Sequence, residues 1–155
     1  MYLNEKHIQR IKRYIFTSYT MILELSKGVW YNTLESEGCT MSQAKLQAQS
    51  LTFSVHIINL VKILKDKRES IISNQIGISG TYIGACISEA QYAQSTSEYT
   101  QKLQQALKYA NETSYWLELL CKTHYITEAE YKTLETACAS IRTMLISDIS
   151  SANQG

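Results

Sequence analysis

Hydrophobic residues recur every three or four positions over most of the chain. The first such segment covers residues 46–65 and is followed by a charged run at 65–69. Further segments cover residues 70–94, 95–123 and 127–149. This spacing places the apolar side chains on one face of an α-helix. The pattern therefore predicts four amphipathic helices, and strand-like alternation with hairpin turns is missing.

Two of the predicted helices begin with a capping box, at Ser95–Glu98 and at Thr127–Glu130. In a capping box the hydroxyl accepts a backbone N–H of the first turn, while the glutamate accepts the N–H of the cap residue. Short connections between helices of about 30 Å or more force neighbouring helices to run antiparallel. We therefore predict an all-α fold, an antiparallel up-down-up-down four-helix bundle over residues 41–150, with a disordered tail at 151–155.

Residues 1–40 carry a separate apolar pattern. It is formed by Ile8, Ile11, Ile15, Ile22 and Leu25, and Gly28 stands where such a helix would end. One interpretation is an extra N-terminal helix. The alternative is that residues 1–40 are not naturally translated, because purine-rich codons for Glu37 and Gly38 would suit a ribosome-binding site just ahead of Met41. Both interpretations remain open, and peptides from residues 1–40 in the native protein would exclude the second.

Composition and charge narrow the class of function. The chain has 15 Lys and Arg against 14 Asp and Glu, whereas proteins that grip nucleic acid through its phosphates usually carry a clear cationic excess. The sequence contains no run of 18 apolar residues, so it predicts no membrane-spanning helix. The four cysteines lack C-x-x-C spacing and the three histidines are scattered, so we expect no metal, no cofactor and a reducing cytoplasm. No catalytic set or phosphate loop is recognisable, and we expect a protein that is not an enzyme.

Gly77, Gly80 and Gly84 lie on one face of the second predicted helix, at positions i, i+3 and i+7. Each glycine inside a helix costs about 1 kcal/mol relative to alanine. Close approach of another helix or subunit would offset this cost, and we predict a helix-packing or oligomer interface here. A ligand or nucleic-acid backbone against the same face is the less favoured alternative.

Glu89 and Trp116 are further candidates for an interface. Glu89 could form a salt bridge with a basic residue such as Lys108. Paired carboxylates such as Glu89 and Glu112 can also bind metal in helical bundles, but the supporting Glu-x-x-His pairs are missing. Trp116 belongs to a cluster of aromatic residues of the kind that fills cores and interfaces more often than it stacks on nucleobases.

Several segments resemble one protein family. Phe53–Leu60, Ser79–Ala90 and Glu112–Leu120 are similar, in order and spacing, to the four-helix-bundle proteins encoded in intervening sequences of bacterial 23S ribosomal RNA genes. The motifs S-G-T-x-I-G-A and E-T-x-Y-W-L-E-L-L carry the resemblance. It implies a homopentameric ring and a family of largely undefined role. A related branch, the accessory variability determinant of diversity-generating retroelements, is a basic pentamer that binds reverse transcriptase and nucleic acid.

The chain departs from these patterns at specific positions. It lacks the positive charge of the basic branch, and His56, Ile78 and Cys86 replace the arginine, arginine and asparagine that are usual in the family. We therefore expect an oligomeric scaffold or adaptor that binds another macromolecule. The alternative is a nucleic-acid-binding accessory subunit, either RNA-associated or a partner of a nucleic-acid enzyme such as a reverse transcriptase. Its candidate phosphate contacts are Lys62, Lys65, Lys67 and Arg68.

Overall fold

The computed structural model describes residues 41–154, and four α-helices account for most of them. These are α1 (Met41–Asp66), α2 (Ile71–Ala90), α3 (Thr96–Lys122) and α4 (Glu128–Ala152). The described residues contain no strand, so the predicted all-α bundle is confirmed. Both expectations for residues 1–40 lie outside the described residues.

Each helix packs against the next along the chain, and α4 packs back against α1. In every such pair, residue numbers rise along one helix as they fall along the contacting face of the other, so neighbouring helices run antiparallel. The contacts are Val61–Gly77 and Ser54–Gly84, Glu89–Lys102 and Tyr82–Tyr109, Ala110–Cys138 and Ser114–Glu135, and Ser42–Asp148 and Gln49–Ser140.

The core is formed by the apolar stripes that the sequence pattern indicated. All four helices contribute large side chains that are almost completely buried, and this burial is the main stabilising contribution to a bundle of this size. They are Leu46, Phe53, Ile57, Leu64, Ile76, Ile83, Ile87, Leu103, Leu117, Leu120, Ile141 and Leu145.

The helix starts differ in how their free N–H groups are bonded. Thr127 and Glu130 form a complete capping box at α4. At α3, Ser95 accepts the N–H of Glu98, but the Glu98 carboxylate bonds the N–H of Gln94 instead of that of Ser95. The capping box predicted at Ser95–Glu98 is therefore only half formed, and its glutamate accepts the N–H group one residue further back.

α2 begins with an unpredicted cap. Ser70 stands at the N-cap position, yet its side chain makes no capping bond. The carboxylate of Glu69 accepts the backbone N–H groups of Ile71 and Ile72, both at 3.0 Å, and that of Ser73 at 2.7 Å. These bonds allow Glu69 to be buried, with 8% of its surface exposed, because a buried carboxylate needs hydrogen-bond donors.

Two helix C-termini differ from the prediction by more than one residue. α2 ends at Ala90 instead of Gln94, because the N–H groups of Gln91, Tyr92 and Ala93 bond to carbonyls three residues back, which tightens the chain into turns. α4 continues to Ala152, so the predicted disorder of 151–155 is wrong for the first two of those residues. Partial burial of Ile149 against the core holds this last turn in place.

Both α1 and α3 end in a Schellman motif with a left-handed residue other than glycine. Arg68 and His124 have φ angles of 60°. After α1, the N–H group of Glu69 donates to the Leu64 carbonyl and the N–H group of Arg68 donates to the Lys65 carbonyl, both at 2.9 Å. The same pattern recurs around His124. The two turns lie at the same end of the bundle, because Lys67 Nζ in the first donates to the Tyr125 carbonyl in the second at 2.8 Å.

None of the four described helices is long and apolar enough to span a lipid bilayer.

Candidate functional site

The glycine stripe of α2 lies against α1 of the same chain. A Cβ built at Gly80 would lie 2.7 Å from Ile57 Cγ1, closer than Cβ atoms are found in proteins. At Gly77 the nearest atom would be Val61 Cγ2 at 3.2 Å, and at Gly84 it would be Ser54 Oγ at 3.2 Å. The predicted close approach therefore takes place within the bundle, between α2 and α1.

The outward surface of α2 exposes three large apolar side chains. Ile71, Ile78 and Tyr82 are 76%, 52% and 48% exposed. Glu89 is the only charged residue among the twenty of this helix. The exposed face of a helix in water normally carries several charged side chains, and an exposed apolar surface of this kind marks an interaction site.

α1 carries a second exposed apolar surface. Leu51, Val55 and Ile58 follow one another at i, i+4 and i+7, and all three are exposed. Such spacing keeps them on one face of the helix. The face is separate from the one that packs on α2 through Ser54, Ile57 and Val61. Thus two neighbouring helices each bury one apolar face and expose another.

Glu89 is paired within the chain, but with a different lysine from the one predicted. Lys102 Nζ lies 2.6 Å from Glu89 Oε2, and the expected pairing with Lys108 is wrong. The hydrogen bond from Lys102 to Glu89, more than their charge attraction, raises the pKa of Lys102. The Glu89 carboxylate itself is exposed.

Trp116 lies partly buried on α3, packed against the core. Its ring nitrogen donates to Glu112 Oε1 at 3.4 Å, and its ring meets that of Tyr115 edge-on with centroids 4.9 Å apart. One carboxylate oxygen of Glu112 therefore accepts a hydrogen bond from the Trp116 ring. Within residues 41–154 no group of three His, Cys, Asp or Glu residues is arranged to hold a metal ion.

The four cations proposed as phosphate contacts are all exposed. Lys62 and Lys65 lie on the last turns of α1, and Lys67 and Arg68 lie in the turn that follows. The structure thus places them at one end of the bundle. Lys67 is partly committed, because its ammonium group bonds the Tyr125 carbonyl.

The sequence model of one family, described as 23S rRNA-intervening sequence protein, matches residues 42–147. The chain belongs to this family. The assignment confirms the resemblance carried by the motifs on α2 and α3, and the matched region corresponds closely to the four helices.

A solved relative supports the same fold for this 23S rRNA-intervening sequence family member. The chain is 46% identical to a protein with unknown function from the S23 ribosomal protein family of Bacteroides thetaiotaomicron, known from a crystal structure. The match covers 71% of this chain and 99% of the other, with a TM-score of 0.70. A search of curated proteins gives no match.

A polar cluster between α3 and α4 was not predicted. Arg142 donates to Glu135 Oε1 at 2.6 Å and to Ser114 Oγ at 2.7 Å. Cys138 lies beside them, and its thiol donates to the Ala110 carbonyl at 3.4 Å. Burial, above all, raises the pKa of the Cys138 thiol, so it stays protonated at neutral pH and is a poor nucleophile. In the sequence, this cluster is signalled only by the i, i+7 spacing of Glu135 and Arg142, which places the two charges on one face of α4.

An open groove between α1 and α4 is lined mainly by apolar and hydroxyl side chains. They are Ala48, Gln49, Thr52, Phe53, His56, Thr133, Thr136, Ala137 and Ser140. Among these, His56 is the only residue with an ionisable side chain. General acid–base catalysis usually needs a second polar or titratable partner to orient such a histidine. In this groove, candidates for that role are limited to uncharged hydroxyl and amide groups.

Proposed function

We propose that this protein is a non-enzymatic, self-assembling helical scaffold of the bacterial cytoplasm, which presents a binding surface to another macromolecule. The outward face of α2 carries the proposal. Ile71, Ile78 and Tyr82 expose apolar surface on a helix with a single charge. A lone subunit would leave this surface in contact with water, and burial against another protein removes that cost.

The resemblance to the family supports a homopentamer as the assembled form. Repetition of one surface around a ring multiplies weak contacts to a common partner, since each bound site raises the effective concentration at the next. A scaffold of this kind needs no catalytic residues. The single histidine of the α1–α4 groove, the protonated Cys138 thiol and the exposed, paired Glu89 are all compatible with that role.

Light scattering coupled to size-exclusion chromatography tests the self-assembly. The wild-type protein is expected to run as an oligomer, and Ile78→Asp is expected to shift it toward the monomer because a carboxylate would be buried at the contact. Ile146→Asp is a matched control, since Ile146 is an equally exposed isoleucine (57%) on α4. A monomeric wild type, or an Ile78→Asp variant that keeps the wild-type mass, would contradict the proposal.

A second candidate function is that of a nucleic-acid-binding accessory subunit, associated with RNA or with a reverse transcriptase. Its supporting observation is the exposure of Lys62, Lys65, Lys67 and Arg68 at one end of the bundle. The carboxylate of Glu69, the residue after Arg68, accepts three backbone N–H groups and forms no ion pair with these four cations.

RNA binding measured over a salt series distinguishes the two functions. Phosphate contacts predict an affinity that falls steeply with salt concentration, and a shallower slope in Lys65→Glu/Arg68→Glu. Lys45→Glu is the control, because this exposed lysine lies near the start of α1, away from the α1–α2 turn. Binding that is undetectable at low salt would leave the scaffold as the remaining function.

A further inference from the structure

The two exposed apolar surfaces have matching patterns. The α1 stripe consists of Leu51, Val55 and Ile58, and the α2 stripe consists of Ile78, Tyr82 and Ala85. Both follow the spacing i, i+4, i+7, and all six side chains are exposed. Each stripe is about 10 Å long at the rise of an α-helix. Either stripe can therefore cover the full length of the other.

The two helices carry opposite net charge. α1 contains Lys45, Lys62 and Lys65 against a single carboxylate, Asp66. α2 contains Glu89 and no basic residue. Contact of α1 with α2 from another copy places the cationic helix against one whose single carboxylate, Glu89, is already paired with Lys102, whereas α1 against α1 brings like charges together. Repulsion between like charges therefore disfavours the α1–α1 pair.

The register of the stripes also fits the unlike pair. Copies related by rotation about an axis along the bundle keep their helices in the same direction, so α1 of one copy runs antiparallel to α2 of its neighbour. Ile58 then lies opposite Ile78, Val55 opposite Tyr82, and Leu51 opposite Ala85. The charged ends, Lys62 and Glu89, fall outside this apolar strip at opposite ends, which is the usual polar rim of an interface.

We propose that the α1 stripe of one copy packs antiparallel against the α2 stripe of the next copy. The inference rests on the proposed self-assembling scaffold and specifies its contact surfaces. A single type of contact then buries both stripes on every copy. Pairing each stripe with itself would need two different contacts, and two such contacts per copy do not in general close an assembly.

Complementation between two assembly-deficient variants tests the pairing. Val55→Asp removes the α1 stripe and Ile78→Asp removes the α2 stripe, and each should weaken association by about a hundredfold or more. Both positions are exposed, so circular dichroism should show wild-type helix content. Leu51→Asp is a second α1 variant, and Ile146→Asp is the control that should assemble as the wild type does.

Mixing the two variants in equal amounts is the decisive step. Each variant alone is expected to be monomeric, and the mixture is expected to form a dimer with one chain of each kind, seen by native mass spectrometry with one variant isotopically labelled. The intact α2 stripe of the Val55→Asp chain meets the intact α1 stripe of the Ile78→Asp chain, and no further contact remains.

The other outcomes separate the two proposals. A monomeric wild type overturns the scaffold itself. An oligomeric wild type overturns only the stripe pairing if Val55→Asp and Leu51→Asp also assemble, or if the mixture of folded Val55→Asp and Ile78→Asp chains stays monomeric.

Discussion

Gly80 and Ile57 approach each other so closely that a side chain at position 80 has no room. A Cβ at Gly80 would lie 2.7 Å from Ile57 Cγ1 and 2.8 Å from Ile57 Cγ2. Ile57 is fully buried and branched at Cβ, so it has little freedom to move. We predict that Gly80→Ala lowers the free energy of unfolding by about 1–2 kcal/mol, because overpacking outweighs the gain in helix propensity. Urea denaturation measures the change.

Gly77→Ala is the matched control for this effect. Its new methyl group would meet only the end of Val61, at 3.2 Å, so we expect a change within about 1 kcal/mol of zero. Ile57→Ala removes both atoms that clash, and Gly80→Ala should cost less in that background than in the wild type. Equal effects in the two backgrounds would show that the contact with Ile57 is not the cause.

The cap of α2 yields a second prediction. Glu69→Ala removes the acceptor for three backbone N–H groups, and we expect a loss of about 2 kcal/mol, since bonds to charged groups are worth more than neutral ones. Ser70→Ala should change stability by less than about 0.5 kcal/mol, because the Ser70 side chain makes no capping bond. Thermal melts of both variants provide the comparison, and the opposite order of effects would refute the role of Glu69.

The left-handed residues at the ends of α1 and α3 yield a third prediction. Arg68 and His124 have φ angles of 60°, a conformation that glycine adopts without the steric cost borne by other residues. We expect Arg68→Gly and His124→Gly each to raise the free energy of unfolding by about 0.5–1 kcal/mol. Arg68→Ala retains the backbone strain and serves as the control. If alanine stabilises as much as glycine, loss of charge and not relief of strain is responsible.

Periodicity alone predicted the helices and their buried faces, because burial on one side of a helix leaves a period of three to four in the sequence. Leu103 and Leu117, for example, both lie in the core as their spacing required. Helix ends were less predictable. The last residues of α4 are polar, yet the helix persists because Ile149 remains packed against the core.

The candidate site was predicted only in part, because a sequence pattern identifies a helix face without identifying what the face contacts. The glycines of α2 indicated a close approach, but the identity of Ile57 as the contact depends on the register between α1 and α2. The same limit explains why Lys108 was suggested as the partner of Glu89, whereas the structure pairs Glu89 with Lys102. The apolar stripe of α1 went unnoticed, since exposed and buried apolar residues look alike in a sequence.

The capping box of α4 yields a prediction for the dependence of stability on pH. Hydrogen bonds from the Thr127 backbone N–H, and then from its hydroxyl, hold the pKa of Glu130 below the ordinary value of 4.5. Because the folded pKa is lower than the unfolded one, the resulting stabilisation is present above the unfolded pKa and is lost as the pH falls through the folded pKa. Melting temperatures should therefore drop less below about pH 4.5 in Glu130→Gln, which keeps an acceptor oxygen but does not titrate, than in the wild type.

Glu128→Gln is the control, since Glu128 lies in the same first turn and pairs only with the exposed Lys132. If Glu128→Gln flattens the acid limb as much as Glu130→Gln does, general charge in the first turn, and not the capping box, sets the pH dependence.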